Sequence, residues 1–154
     1  MIRKATKKDL HALYGLYNYF VDHLIKCRPE RYTKEKINQK IVYNDFEKYI
    51  NGSKGNILVY EERGRVVGYG IGKIEENELF VKGRKHGILY QIVVKEENQN
   101  NGIGKALANE LIHWMRTKGV YLIYCIVDEK NKESLRVWEK IGFGNELVYI
   151  SKEI

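Results

Sequence analysis

Residues 99–105, QNNGIGK, join an apolar run to a helical pattern through two glycines, with a lysine directly after the second. A strand that feeds a helix this way brings several backbone N–H groups to one point. The first N–H groups of a helix have no intrahelical partner, and the helix dipole adds partial positive charge there. Glycine removes the side chain that would hold an anion away from the backbone. Gly102, Ile103 and Gly104 therefore read as an anion-binding helix start. Lys105 adds a mobile positive charge, and Asn100 and Asn101 tolerate the turn conformations that precede a helix. The chemistry predicted is a cradle for a pyrophosphate.

Two common phosphate loops do not match. A dinucleotide fingerprint, G-x-G-x-x-G, needs a third glycine where Leu107 stands. A Walker A loop, G-x-x-x-x-G-K-[ST], needs glycine at Gln99 and a hydroxyl at Ala106. The pattern that fits is Q-x-x-G-x-G, as Gln99-Asn100-Asn101-Gly102-Ile103-Gly104.

The elements around this junction follow from periodicity and punctuation. IRKA (2–5) reads as a strand, and Thr6-Lys7-Lys8-Asp9 has the form of a capping box. Leu10, Leu13, Tyr17, Phe20, Val21 and Leu24 recur at helical spacing until Arg28-Pro29. A second helix is expected from Thr33-Lys34-Glu35-Lys36, with Ile37, Ile41, Phe46, Tyr49 and Ile50 on its apolar side. Asn51–Gly55 is a turn. NILVYEE (56–62) and VVGYGIGKI (66–74), joined at Arg63-Gly64-Arg65, read as a hairpin. GILYQIVV (87–94) is a third strand of this group. A helix from Gly102 to Lys118 presents Ile103, Leu107, Leu111 and Trp114, and Gly119 stops it. VYLIYCIV (120–127) has few polar residues, as expected of a strand covered on both faces. A helix over 132–140 carries Leu135, Trp138 and Ile141 and closes at Gly142, and LVYISKEI (147–154) is a last strand. The order is β-α-α-β-β-β-α-β-α-β, an α/β (α+β) mixed sheet with flanking helices. The helix after GILYQIVV makes a crossover, so that strand and VYLIYCIV should be parallel neighbours.

Composition narrows the classes. The 154 residues suffice for one domain, 1–154, with no linker or repeat. No run of eighteen apolar residues predicts a membrane helix, and MIRKATKKDL lacks the apolar core of a secretory signal. The expectation is a cytoplasmic protein. Two separated cysteines, Cys27 and Cys125, offer neither a disulfide framework nor a metal cluster, and Cys125 reads as a small buried hydrophobe. The net charge of +7 is dispersed, its longest basic cluster being KGRKH at 82–86. Nucleic-acid binding is not expected from such a distribution. The excess suits a small polyanion or solubility equally well.

With these elements in place, the chain resembles the GNAT superfamily of N-acetyltransferases, which bind acetyl-CoA through a [QR]-x-x-G-x-[GA] loop. The strand IVV ends five residues before Gln99, as in that family. DEKNKESLRVWEKIGF is similar to its later asparagine, helix and closing GF. The element order agrees from end to end. The resemblance implies that the backbone of Ile92, Val93 and Val94 pairs with the pantetheine arm. It implies that Asn100, Asn101, Gly102, Ile103, Gly104 and Lys105 hold the pyrophosphate. Asn131 would hydrogen-bond the cofactor arm, a role compatible with capping the helix that follows it.

The implied reaction is direct attack of an amine on the thioester, the two being held together in a ternary complex. A strand N–H near Ile92 is the expected oxyanion donor. The acceptor would be a primary amine of a small molecule or peptide, gripped by the first two helices and the link after VVGYGIGKI. The protein is expected to be a monomer or homodimer. Many relatives use a tyrosine seven residues beyond the asparagine as general acid, and here that residue is Trp138. Some place a glutamate base where this chain has Ile88. Tyr90, two residues on, is the candidate catalytic residue, with Tyr124 and Tyr149 as possible acids. His86 reads as a surface histidine, and Glu75, Glu76 and Glu78 as a solvated loop. The tyrosines of the first two helices, Tyr14, Tyr17, Tyr19, Tyr32, Tyr43 and Tyr49, either pack in the core or meet the acceptor. The vacant acid and base positions also admit an alternative, a CoA-binding sensor or partner-binding module with weak or no catalysis.

Overall fold

The structure, a computed structural model, describes residues 1–76 and 85–145. The expected last strand, together with Glu78, Tyr149 and most of the KGRKH cluster, lies outside the described residues. In chain order the elements are β1 (Ile2–Lys4), α1 (Leu10–Cys27), α2 (Gln39–Ile50), β2 (Asn56–Glu62), β3 (Arg65–Glu76), β4 (Lys85–Val94), α3 (Ile103–Thr117), β5 (Leu122–Cys125) and α4 (Lys132–Ile141). The strands form one sheet in the order β1-β2-β3-β4-β5. Each of the first four runs antiparallel to its neighbour and β5 runs parallel to β4, as the crossover through α3 requires.

The entry to α1 shows why the capping box forms. The Asp9 carboxylate accepts the Thr6 N–H at 2.8 Å and the Thr6 hydroxyl at 3.0 Å. Arg3 grips both oxygens of the same carboxylate at 2.8 Å and donates to Glu61 on β2, also at 2.8 Å. One buried carboxylate thus ties β1, β2 and the first turn together. Beyond it Leu10, Leu13, Leu16 and Val21 are buried along one face, and the helix ends at Cys27, just before Arg28-Pro29.

The second helix starts later than Thr33–Lys36. The Thr33 hydroxyl accepts the Glu35 N–H at 3.2 Å, closing a local turn that competes with helix. Asn38 then caps α2 by accepting the Ile41 N–H at 3.0 Å. The buried stripe is Val42, Phe46 and Tyr49, whereas Ile41 is 56% exposed. Adjacent helical residues are about 100° apart, so Val42 and Ile41 cannot share the face.

The sheet carries a core on each side. Leu13, Phe46, Tyr49, Val59, Tyr69, Ile71 and Val93 pack beneath α1 and α2. Leu58, Leu89, Leu107, Leu111 and Met115 pack beneath α3. The α3 layer sits close because β3 is bare beneath it: a Cβ at Gly72 would lie 2.8 Å from Met115 Cε. The hairpin between β2 and β3 turns on Arg63 and Gly64, both with positive φ, the geometry that matches strand twist.

One irregularity in β4 governs the rest. Ile71 pairs with Gln91 but Gly72 pairs with Leu89, so Tyr90 has no partner on β3. This is a one-residue bulge. Leu89 faces α3 while Val93 faces α1 and α2. Strict alternation would put residues four apart on one face; the inserted residue reverses it. At the far end of the described strands, β5 is shorter than 120–127. Its four residues are all half-buried, and Tyr121 and Ile126 are 61% and 67% exposed, so it is not the doubly covered strand expected. Cys125 packs half-buried against the α3-side core, and burial pushes its thiol up to about 11.

The Asp9 knot makes stability depend on acid. Hydrogen bonding from Arg3 holds the Asp9 carboxyl at about 2, below its ordinary 3.8. Its contribution is therefore complete above about pH 4 and is lost as pH falls toward 2. Asp9→Asn should cost about 1–2 kcal/mol at neutral pH. It should also flatten the urea midpoint between pH 4 and 2, relative to wild type.

Candidate active site

The bulge coincides with a split between strands. Pairing of β4 with β5 ends at Leu89 and Cys125, one residue before Tyr90. Beyond that point β4 remains paired with β3 through Gln91, Ile92, Val93 and Val94, and no described strand lies on its other side. The Lys95 N–H donates to the Val67 carbonyl at 2.9 Å. Strand alternation then sends the backbone groups of Val93 and Gln91 toward β3, and those of Ile92 and Val94 into the opening.

The glycine loop is held against that opening from within. Gln99 donates its side-chain amide to the Val94 carbonyl at 3.0 Å and to the Tyr19 hydroxyl at 2.9 Å. The glutamine of the motif is thus a strut between β4, α1 and the loop. Asn100 takes a positive φ of 62°, and Gly102 one of 76° as the N-cap of α3. No side chain caps this helix start, and the Gly102 carbonyl accepts the Ala106 N–H at 2.9 Å. Ile103 is buried, leaving only its backbone for the loop, whereas Asn100, Asn101 and Lys105 are exposed.

The two glycines have different reasons. Gly102 is required by its left-handed backbone. Gly104 has no such requirement: a Cβ there would lie 3.6 Å from Ile92 Cγ2 and 3.8 Å from Val94 Cγ2, ordinary contact distances. Its bareness keeps clear the space between the first turn of α3 and the end of β4. Gly104 thus lies beside Ile92 and Val94. Uncapped amides, an exposed lysine and this clear space suit a phosphorylated, chain-like ligand.

Asn131 stands in the turn between β5 and α4. Its side-chain oxygen accepts the Ser134 N–H at 3.1 Å, the N-cap role, and this leaves its amide NH2 without a use in the cap. The turn is anchored from α1. Arg28 grips Asp128 in a two-point pair at 2.7 and 3.0 Å, and the Asp128 carbonyl accepts the Asn131 N–H at 2.8 Å. Neither Arg28 nor Asp128 is conspicuous in sequence, because 100 positions separate them.

The α1/α2 face of the opening is aromatic. Tyr90 sits on the bulge, 45% exposed, with Lys73 Nζ 3.4 Å from its ring centroid. Tyr69, fully buried, donates its hydroxyl to Gln91 Oε1 at 2.9 Å, and burial raises its pKa well above the ordinary value. Phe46 meets Tyr69 edge-on at 5.6 Å and Tyr17 at 6.0 Å. Burial also lifts Tyr17, and Tyr49 to about 12, while it lowers Lys73. Tyr14, Tyr17, Tyr19 and Tyr43 pack on the core beneath. His86, expected at the surface, is only 19% exposed, held between Glu75 at 3.6 Å and the Tyr124 ring. Glu75 and Glu76 end β3 rather than lying in a loop.

A cavity of about 640 Å³ lies elsewhere, among Lys8, Asp9, His11, Tyr19, Arg65 and Lys95. Glu96 and Glu97 also line it. Its lining mixes cations with carboxylates and includes no residue of the glycine loop, so the strand opening is the better candidate.

A family model for the acetyltransferase (GNAT) family matches residues 16–143. The chain belongs to this family. The L-methionine sulfoximine/L-methionine sulfone acetyltransferase of Salmonella typhimurium is 28% identical over 142 residues, 92% of this chain and 78% of that protein. A tetramutant of the BH1408 protein from Bacillus halodurans has the same fold, with a TM-score of 0.86 at 19% identity over 100% and 99% of the two chains. The aminoglycoside N-acetyltransferase AAC(6')-Iy, solved with CoA, gives 0.77 at 18% identity over 99% of this chain and 93% of its own. The GNAT fold and an acetyltransferase identity are thereby established. No helix among the described residues is long and apolar enough to cross a membrane.

Within this GNAT domain the two departures are visible as packing. Trp138 meets Phe143 edge-on at 5.3 Å and lines a cavity of about 180 Å³ with Tyr124, Cys125 and Leu135. Ile88 lies in the sheet between Lys73 and Tyr124. Neither offers a proton.

The contrast between the glycines can be measured. Gly102→Ala should cost about 1–2 kcal/mol in urea unfolding, from the left-handed backbone. Gly104→Ala should leave stability unchanged or raise it by up to about 1 kcal/mol. Equal losses at both would show that Gly104 is also required by the fold.

Proposed function

We infer that this chain is an acetyl-CoA-dependent N-acetyltransferase, one domain over residues 1–154. In this reading it transfers an acetyl group to the primary amine of a small molecule or peptide within a ternary complex. The observation that carries this reading is the bare first turn of α3 standing against the split between β4 and β5. Acetyl-CoA, when bound, supplies an acetyl group activated as a thioester. The backbone amides of Gly102–Lys105, with the Lys105 ammonium and with Asn100 and Asn101 shaping the approach, would hold its pyrophosphate. Ile92, Val93 and Val94 would flank the arm as a strand edge, and the Asn131 NH2 would donate to it.

The Ile92 N–H, turned into the opening, would donate to the carbonyl oxygen as negative charge develops there. Tyr90, at the split and exposed, would take the amine's proton through water. With Trp138 in the acid position, the thiol would leave as thiolate, which a pKa near 8.5 permits at neutral pH. Positioning then supplies most of the rate. The second reading, a CoA-binding module with weak catalysis, draws on Ile88 and Trp138.

Gly104→Glu places a carboxylate in the cleared space. CoA affinity by calorimetry should fall by about a hundredfold or more, roughly 3 kcal/mol, while the melting temperature holds. Unchanged affinity would refute the loop assignment. Free thiol appearing on mixing acetyl-CoA with an amine panel supports transfer; CoA binding without turnover across the panel supports the module.

A further inference from the structure

We propose that the amine acceptor carries a carboxylate close to its amine, as an amino acid does, and that Lys73 is the residue that binds it. This rests on the reading of the β4–β5 split as the place of acetyl transfer. Lys73 projects from β3 opposite Ile88, beside the bulge. Its Nζ lies 3.4 Å from the Tyr90 ring centroid and 5.9 Å from that of Tyr49. The neighbouring Lys54 is already paired, with Asp45 at 2.8 Å. Glu75, two residues along β3, lies 3.6 Å from His86. Among the described residues Lys73 is in no ion pair, and its contacts are the two rings.

A half-buried ammonium without a counter-ion is unfavourable, and an incoming anion relieves that penalty. Burial first and then the neighbouring Lys54 disfavour its charge, against the weaker opposing pull of Glu75 and Asp45, and an incoming carboxylate would add to that pull. Tyr49, 2% exposed, forms the buried floor of this face, with Lys54 and Lys73 over its ring at 5.2 and 5.9 Å. An aromatic wall with a lone cation suits a carboxylate next to a short, partly apolar body. It suits poorly a polyamine or aminoglycoside, whose further ammonium groups would face Lys73. Because Lys73 adjoins Tyr90, the anion and the reacting amine must be separated by only a few bonds.

The test compares L-methionine, L-phenylalanine, L-leucine and L-glutamate with their amides, and with spermidine and kanamycin, by CoA release. The expected result is a kcat/KM at least tenfold higher for an acid than for its amide. That direction is informative because the amide's amine is the less protonated of the two. In Lys73→Met the acid-to-amide ratio should fall by about tenfold or more. Lys73→Arg should keep it within a few-fold. A ratio unchanged in Lys73→Met, or a wild-type preference for amides, spermidine or kanamycin, would overturn the proposal. So would CoA binding with no turnover of any of these acids, which leaves the cofactor reading standing. Absence of CoA binding in wild type would instead bring down the cofactor reading, and this inference with it.

Discussion

Inserting one residue into β4 reverses which side chains face each helix layer, and the pairing with β5 ends at the same place. Both consequences follow from the pleat. Before Tyr90 the odd-numbered residues look toward α3; after it the even-numbered ones do. The strand can then lend its second half to the core beneath α1 and α2 while turning a free backbone edge to the split. Without the bulge, Ile92 would exchange faces with Val93, and Gly104 would lose the side chains it rests on.

Much of this arrangement is written locally. The capping box at Thr6–Asp9, the Arg63-Gly64 turn, the stops at Gly119 and Gly142 and the crossover all follow from short-range pattern, and they appear where expected. The uncapped helix start at Gly102 was legible because glycine and asparagine at fixed spacing dictate the backbone there. The bulge was not, since LYQIVV is apolar on both sides of it and alternation gives no sign of an insertion. The start of α2 was missed for a similar reason. Thr33 and Asn38 are both competent caps, and only the closed turn at Glu35 decides between them. The Arg28–Asp128 pair and the place of Lys73 depend on which distant segments meet, and a single sequence does not carry that.

The helix that begins at Gly102 and the turn that precedes α4 are built on opposite principles. The first is left bare, its amides uncapped and its glycine unexplained by packing. The second is heavily tied: Arg28 to Asp128, Lys130 to Glu30, Asn131 to Ser134. A surface ion pair alone adds little. Here, however, the pairs join a turn to a helix 100 residues away, and the Asp128 side chain is only 6% exposed. The proposed donor, Asn131, is therefore presented from a fixed frame, whereas the proposed anion site has its geometry supplied by Gln99, which braces Val94 against Tyr19. Rigid support thus lies behind each group.

The missing acid and base bear on how such a site would work. General acid catalysis is worth most when the leaving group is poor, and a thiol of pKa near 8.5 leaves without help at neutral pH. The larger demand is on the amine, which must lose a proton before attack. Tyr90 is exposed at the split, so water reaches the reacting end, and no buried carboxylate is needed to carry the proton away. A cation beside that tyrosine would hinder a second ammonium but would hold an anion, and holding the acceptor still is then the main service the protein performs. On this view Trp138 gives up an acid in exchange for an aromatic contact with Phe143 that seats α4 on the sheet, which keeps Asn131 in place.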